Sequence, residues 1–208
     1  MTPPTVNAYY NSQMNDINFP AGILQPPFFD PAMPDAVNFG GIGMVIGHEL
    51  THGFDDSGRK FDLHGNMEDW WTPEDAKAFE GRAQCFVDQY GGYEAAPGVK
   101  LNGKLTLGEN TADNGGLRVA GMALDASPAA AAASRDGFTP RQRLFLGFAQ
   151  VWCQNRTEQI ARMHALTDPH SAARWRVIGP LSNSAEFAKA FSCKPGDAMV
   201  SAKACRVW

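Results

Sequence analysis

One apolar run, residues 39 to 54, carries two histidines and constrains the fold more than any other part of the chain. Its apolar residues recur at helical spacing and the run is too long for a single strand, so the sequence predicts a buried helix from Phe39 to Phe54. Glycines lower helix propensity, so we expect those in this helix to mark close packing against another backbone. They occupy positions 40, 41, 43 and 47.

The predicted helix contains the pattern His48-Glu49-Leu50-Thr51-His52. Residues four apart share one helix face, so both imidazoles can reach one ion. Zinc accepts two neutral imidazoles and a carboxylate and keeps a fourth position for water, whose proton Glu49 is placed to take. A surface helix that pairs two histidines by chance is the alternative, but these groups are costly to bury without a ligand. We therefore expect one Zn²⁺ ion bound by His48 and His52, with Glu49 as general base.

A third ligand must come from elsewhere, and residues 108 to 113, Gly-Glu-Asn-Thr-Ala-Asp, offer one. They fall on a second predicted helix, from Leu105 to Ala123, which places Glu109 and Asp113 one turn apart. Glu109 is the candidate ligand, and Asp113 could accept a hydrogen bond from the outer nitrogen of a zinc-bound histidine. Taken alone, this segment would be interpreted as a solvated acidic helix face.

Size and charge exclude several classes of partner. The chain has 208 residues, enough for one sizeable domain, and its 18 basic and 22 acidic residues give a net charge of −4 without a long run of one sign. This balance suggests no nucleic-acid partner and no basic membrane-binding patch. No stretch approaches the roughly 18 apolar residues of a membrane segment, and the first residues lack the pattern of a secretory signal. The sequence does not define where the natural protein begins.

Further helices and irregular connections are expected elsewhere. A threonine cap followed by proline predicts a helix over 72–90, which two glycines end. The same start signal predicts a long helix over 139–165, and a short helix is expected over 184–191. Residues 1–38 are predicted to form short extended pieces and turns, and residues 126–134 a connector.

The four cysteines contain no Cys-x-x-Cys pair, so a cysteine-rich zinc site is not expected. An even number allows disulfides, yet buried free thiols are common in cytosolic enzymes. The residues alone leave both possibilities open. The cysteines are Cys85, Cys153, Cys193 and Cys205.

Several stretches are similar to the neprilysin-like zinc peptidases, a family that includes endothelin-converting enzymes and bacterial oligopeptidases. The resemblance spans almost the whole chain. The matching stretches are VNAYYN at 6–11, FPAGILQPPFFD at 19–30, GGIGMVIGHELTHGFDD at 40–56, LGENTADNGGL at 107–117, FAQVWC at 148–153, and SAEFAKAF at 184–191 followed by the terminal CRVW.

For the metal site, the resemblance implies the same roles as the residues do. It makes His48, His52 and Glu109 the zinc ligands, Glu49 the general base, and Asp113 the partner of a ligand histidine.

The resemblance also implies roles that the residues alone do not reveal. Asn7 and Ala8 would hold the substrate backbone as an added strand does, Arg176 would bind a substrate carbonyl, and His170 would stabilise the oxyanion of the tetrahedral intermediate. We further expect Asp168 to orient His170.

By the same reasoning, Asp55 is expected to orient His52. A further set of residues corresponds to the family's pocket for the side chain after the scissile bond. If these residues line such a pocket, the pocket prefers large apolar side chains. Without the resemblance they would be interpreted as plain core. They are Ile23, Phe28, Met44, Val45, Val151 and Trp152.

Members of this family usually carry an N-terminal helical domain that roofs the active site and limits substrates to short peptides, and nothing here corresponds to it. We expect a single catalytic domain over 1–208 without that roof; a homodimer could supply a cover. The family's pairing implies a Cys85–Cys205 disulfide with Cys153 and Cys193 unpaired. A periplasmic or secreted location is then expected.

The resemblance implies a mainly helical α+β fold of the thermolysin-like zinc-peptidase type, with a small sheet beside the HExxH helix. The implied function is that of a zinc metalloendopeptidase, which hydrolyses peptide substrates on the N-terminal side of large apolar residues. One alternative is a zinc-loaded module that binds peptides or a partner chain with little turnover. Another is a purely structural zinc site, which would need a fourth protein ligand that no cysteine or histidine is placed to supply.

Overall fold

Two antiparallel hairpins and a set of helices make up the computed structural model, which describes residues 1–208. The α+β, mainly helical fold agrees with the sequence prediction. The strands are β1 (Tyr9–Asn11), β2 (Asp16–Asn18), β3 (Glu94–Ala96) and β4 (Val99–Lys100), and the helices are α1 (Asp35–Asn38), α2 (Met44–His52), α3 (Pro73–Gly91), α4 (Leu107–Ala126), α5 (Pro140–Val151), α6 (Glu158–Thr167), α7 (Ala173–Asn183) and α8 (Ala185–Ala190).

The helix predicted over residues 39 to 54 exists, with shifted ends. It begins earlier, as α1, passes through a π-helical segment at Phe39–Gly43 and continues as α2 to His52. The wider π-helical turn lies where the helix touches other backbone. A side chain at Gly40 would collide with the carbonyl of Leu144 in α5, which confirms close backbone packing at this glycine.

The helix with the HExxH pattern packs directly on α4. A Cβ atom added at Gly47 would lie 2.8 Å from the carbonyl oxygen of Gly116, and one added at Gly116 would lie 2.5 Å from the backbone nitrogen of His48. Both distances are shorter than ordinary contacts, so only glycines allow this approach. The contact brings the start of α4, with Glu109, beside the two histidines of α2.

Two hydrophobic clusters hold these helices in place. The larger one joins the N-terminal segment and α2 to α4, α5, α7 and α8 and includes Ile23, Met44, Val45, Leu117, Leu124, Leu144, Phe145, Phe148, Leu181 and Phe187. The smaller one packs α3 against the C-terminal residues and includes Phe79, Ala83, Phe86, Tyr90, Leu101 and Val207.

Helices α3 and α8 form as predicted, each capped by a hydroxyl, from Thr72 and Ser184 respectively. The predicted long helix over 139–165 is wrong: α5 stops at Val151, and α6 begins after residues 152–157. The sequence restarts a helix there, because the Thr157 side chain accepts from the backbone N–H of Ile160.

Other segments refine the expectations. Helix α7 and the β3–β4 hairpin were not predicted, and the alanine-rich connector contains a short 3₁₀ turn at Pro128–Ala131. Cys85 of α3 and Cys205 form a disulfide, as the resemblance implied, while Cys153 and Cys193 are free. None of the helices combines the length and apolarity required to cross a bilayer.

Candidate metal centre and active-site cleft

Helices α2 and α4 bring three potential metal ligands together. The Nε2 atoms of His48 and His52 lie 3.0 Å apart, and their rings meet edge to face. Glu109 faces both: its Oε2 lies 3.2 Å from His48 Nε2, and its Oε1 lies 3.7 Å from His52 Nε2. A carboxylate oxygen of Glu49 lies within 4.8 Å of both imidazole nitrogens. Glu109 is thus the closer of the two carboxylates.

The spacing of these three side chains fits a bound ion. Donors held tetrahedrally at zinc distances are about 3.3 Å apart, and the observed separations run from 3.0 to 3.7 Å. Glu109 Oε2 is buried and lacks a hydrogen-bond partner, which is the condition of an acceptor that awaits a cation. The residues present therefore suit a zinc ion.

A carboxylate lies behind each histidine. His52 Nδ1 is 2.7 Å from Asp55 Oδ2, and the other oxygen of Asp55 accepts from the backbone N–H groups of Ser57 and Gly58. Because Asp55 accepts, His52 carries its proton on Nδ1 and presents a lone pair on Nε2. His48 Nδ1 lies 2.9 Å from Asp113 Oδ1, but the direction is too poor for a good hydrogen bond.

The centre attracts positive charge. Burial lowers the pKa of His48, but the nearby carboxylates of Asp113 and Glu109 overcome this effect and raise it to about 9. Burial raises the pKa of Glu109, yet the neighbouring His48 dominates and holds it well below its ordinary value. Without an ion, the cluster thus takes up a proton, as expected where a cation belongs.

Glu49 is buried, and burial raises its carboxyl pKa above the ordinary value. The same helix that carries the histidines places it beside their ring nitrogens, within reach of a solvent molecule at the centre. A carboxylate whose pKa has been raised is better suited to accept and return a proton near neutral pH.

His170 approaches the centre from the loop between α6 and α7. Its Nε2 lies 3.3 Å from Glu109 Oε1, and its Nδ1 lies 2.8 Å from Asp168 Oδ1. Asp168 also accepts from the backbone N–H of His170, so this carboxylate fixes both the loop and the ring. Burial raises the pKa of Asp168, but the hydrogen bonds from His170 outweigh this effect and hold the pKa below its ordinary value.

Arg176 of α7 is buried behind the candidate ligands. Its Nε and Nη2 donate to the two oxygens of Asp113 at 2.8 and 2.7 Å, and its guanidinium carbon lies 3.9 Å from the centre of the Trp152 ring. The pair with Asp113 leaves Nη1 as the nitrogen that is available to another acceptor.

These groups line one open cleft of about 580 Å³. Of the residues predicted from the sequence, Val151 and Asp113 do not line it: Val151 ends α5 and is half-buried, and Asp113 is buried behind His48. The predicted residues that line it are Asn7, Ala8, Ile23, Phe28, Met44, Val45, His48, Glu49, His52, Asp55, Glu109, Trp152, Asp168, His170 and Arg176. A second cavity, of about 110 Å³, lies along α4 beside the C-terminal residues and contains none of them.

Sequence reasoning missed several polar residues of the cleft region, three of them in or beside the loop after α5. Gln154 and Arg156 line the cleft from the loop that interrupts the predicted long helix, and His164 of α6 lies 2.8 Å from Asp168. The threonine cap at 157 was the signal that could have revealed the loop, because it marks the start of a new helix.

Histidines four apart on a helix, with a glutamate between them, are the pattern that one class of zinc peptidases shares, and the facing carboxylate and apolar-lined cleft agree with that class. The profile of peptidase family M13 matches residues 7–207, and the chain belongs to this family. This confirms the resemblance found in the sequence.

Individual relatives agree. The chain is 50% identical over 212 residues to endothelin-converting enzyme 1 of Homo sapiens and 48% identical over 217 residues to neprilysin-3 of Drosophila melanogaster. All of this chain is covered in both comparisons, but only 27% of each relative. The solved structure of zinc metalloprotease ZMP1 of Mycobacterium tuberculosis, in complex with an inhibitor, superposes with a TM-score of 0.90 at 43% identity, covering 100% of this chain and 33% of that one.

Proposed function

We propose that this chain is the catalytic domain of a zinc-dependent endopeptidase that cleaves peptide bonds on the N-terminal side of large apolar residues. One observation carries the proposal: two imidazole nitrogens and a carboxylate converge at 3.0 to 3.7 Å, with a buried glutamate beside them, at the floor of an open cleft. Membership in peptidase family M13 supports the same conclusion.

We assign His48, His52 and Glu109 as the ligands of one zinc ion. When bound, zinc polarises a carbonyl group and lowers the pKa of a bound water to about 7. His52 is held by Asp55, and α4 carries Glu109 to within 3.2 Å of His48 Nε2. The protein thus fixes the donors before any substrate arrives.

Glu49 would take the proton of the attacking water and later deliver it to the leaving amine. Its burial supports this role, since a raised pKa favours both uptake and release of the proton near neutral pH. With both ring nitrogens protonated, His170 would donate from Nε2 to the developing oxyanion, while Asp168, 2.8 Å from Nδ1, would accept the other proton.

The remaining contacts would bind the peptide. Asn7 and Ala8 immediately precede β1 and line the cleft, so they are placed to pair with an extended substrate as an added strand would. Arg176 would use its remaining nitrogen to bind a substrate carbonyl. An apolar wall would accept the side chain after the scissile bond; it comprises Ile23, Phe28, Met44, Val45 and Trp152, and Val151 stays a prediction.

We infer an oxidising, extracytoplasmic setting, which the Cys85–Cys205 disulfide supports. The cleft is open in the described residues, and the chain spans about a quarter of the curated relatives' length; we treat residues 1–208 as one catalytic domain. A second copy that covers the cleft as a homodimer stays a prediction.

The test is cleavage of a peptide library with and without added zinc. We expect zinc-dependent cleavage before large apolar residues, with Glu49→Gln lowering kcat by about 10²- to 10⁴-fold while zinc stays bound. His52→Ala should lose the metal itself. A Glu49→Gln protein with near-normal turnover would contradict the assignment, and peptide binding without cleavage would instead support a zinc-loaded binding module.

A further inference from the structure

A guanidinium without a carboxylate partner lies in the cleft. Arg156 belongs to the loop between α5 and α6, lines the cleft with Trp152 and His170, and is exposed. No carboxylate oxygen lies within 4.0 Å of it, whereas the other arginine of the cleft, Arg176, is paired with Asp113. Of the two arginines in the cleft, Arg156 is therefore the one without a carboxylate partner.

Two neighbouring side chains contact this guanidinium. Its Nε donates to Gln154 Oε1 at 2.8 Å, and its Nη1 lies 2.7 Å from His164 Nδ1. An arginine has five N–H donors, so these contacts leave Nη2 and part of Nη1 available for an incoming oxygen pair. The side chain is thus oriented in advance without being neutralised, which is the state that a carboxylate-binding arginine needs.

The position of Arg156 relates it to the reaction. His164 Nδ1 also lies 2.8 Å from Asp168 Oδ2, and the other oxygen of Asp168 holds His170 at 2.8 Å. Arg156 thus lies two side chains away from the proposed oxyanion contact, on the side of the cleft where Trp152 lies. An extended peptide advances about 3.3 Å per residue, so its second or third residue past the scissile bond would reach Arg156.

We propose that Arg156 binds a carboxylate of the substrate at the second or third residue after the cleaved bond, and so selects acidic or chain-terminal residues there. This rests on the proposed peptidase function and adds the substrate class. The carboxylate can come from an acidic side chain or from a peptide's free C-terminus. Gln154 and His164 act as positioning residues for the guanidinium.

The experiment compares matched peptides, each with a large apolar residue after the scissile bond. In the first pair, one peptide has Glu and the other Gln two residues after that bond. In the second pair, the same exchange is made three residues after the bond. In the third pair, the peptides end at this third residue, one as a free acid and the other as an amide. The variants are Arg156→Gln, Arg156→Lys and, as a control, Arg174→Gln, which removes the same charge from α7 outside the cleft lining. Binding of the same peptides is measured by calorimetry on zinc-loaded Glu49→Gln protein with and without the Arg156→Gln substitution.

For at least one pair we expect kcat/KM to favour the acidic peptide by about fivefold at low salt, and by less at high salt because exposed charges are screened. The ratio should fall to about one in Arg156→Gln, persist in Arg174→Gln and be intermediate in Arg156→Lys, which keeps the charge but not the paired donors. The pair that responds distinguishes a side chain from a chain terminus.

A wild-type ratio of one for every pair, in cleavage and in binding, overturns the carboxylate site and leaves the peptidase proposal intact. A binding preference that Arg156→Gln abolishes, in a protein that cleaves no peptide, keeps the site and overturns the peptidase. A preference that survives in Arg156→Gln shows that another group binds the carboxylate, and also overturns the proposal.

Discussion

Gly116 of α4 is where a single methyl group should disturb both packing and metal binding. In Gly116→Ala, the added Cβ would lie 2.5 Å from His48 N, 2.8 Å from His48 Cα and 2.8 Å from Met44 O. All three are backbone atoms of the HExxH helix, so no side chain can move aside. The two helices must separate.

The size of the separation follows from ordinary contact distances. To restore 3.4 Å between the new Cβ and His48 N, the backbones must move apart by about 0.9 Å. Overpacking of this kind costs about 1–3 kcal/mol, partly offset by the roughly 1 kcal/mol gain in helix propensity. Metal ligands tolerate displacements of only about 0.2 Å. Moving Glu109 with α4 should therefore weaken zinc binding by at least about tenfold, the scale of losing a ligand's supporting contact.

Two measurements test this prediction: zinc affinity by competition with a chelator, and the free energy of unfolding in urea. Gly81→Ala is the matched control, because Gly81 lies within α3 and its added Cβ would meet nothing within 4 Å. The control should keep its zinc affinity and be as stable as the wild type or slightly more so. If Gly116→Ala matched the control in both measurements, the close helix contact would not be what positions the ligands.

Three further predictions concern stability. In the zinc-free protein, Asp113→Asn should lower the free energy of unfolding by about 3–5 kcal/mol, because it leaves Arg176 buried and unpaired. The pKa of Asp113 in the folded protein lies below 3.8. Urea titrations should therefore show the same loss of stability at pH 6 and at pH 5, and a smaller loss only below pH 3.8. Replacing Cys85 and Cys205 with alanine removes a link across 120 residues and should lower the free energy of unfolding by about 4 kcal/mol, whereas Cys153→Ser should have little effect. Zinc at a thousandfold excess over its Kd should stabilise the protein by about 4 kcal/mol. Thermal unfolding should detect this stabilisation in the wild type and not in His52→Ala.

The cluster of candidate metal ligands was more predictable from the sequence than the fold around it. His48 and His52 are brought together by helical spacing alone, so their proximity follows once the segment is helical. The contact between Glu109 and the histidines is not local: it depends on how α2 and α4 pack. The glycines hinted at close packing, but only the structure shows that Gly47 meets Gly116 of this particular helix.

The errors in the fold share one cause, which is that local signals do not say where a helix stops. The long helix predicted over 139–165 ends at Val151, and the new cap at Thr157 was overlooked because the segment after it is also a good helix former. Helix α7 was missed for a related reason. Proline is disfavoured inside a helix, yet this one runs from Ala173 through Pro180 to Asn183.

The residues that only the resemblance identified are those whose surroundings come from distant segments. Arg176 is an ordinary cation in the sequence, and it becomes distinctive only because Asp113, 63 positions away, pairs with it in a buried site. Asp113 lies in turn 2.9 Å from His48, so the ion pair and the proposed metal ligand share one carboxylate. Loss of this arginine would leave Asp113 buried and uncompensated, free to rotate away from His48 or to take up a proton. The buried pair therefore links the packing of α7 to the chemistry of α2, and substitutions on either helix should alter zinc affinity without touching a ligand.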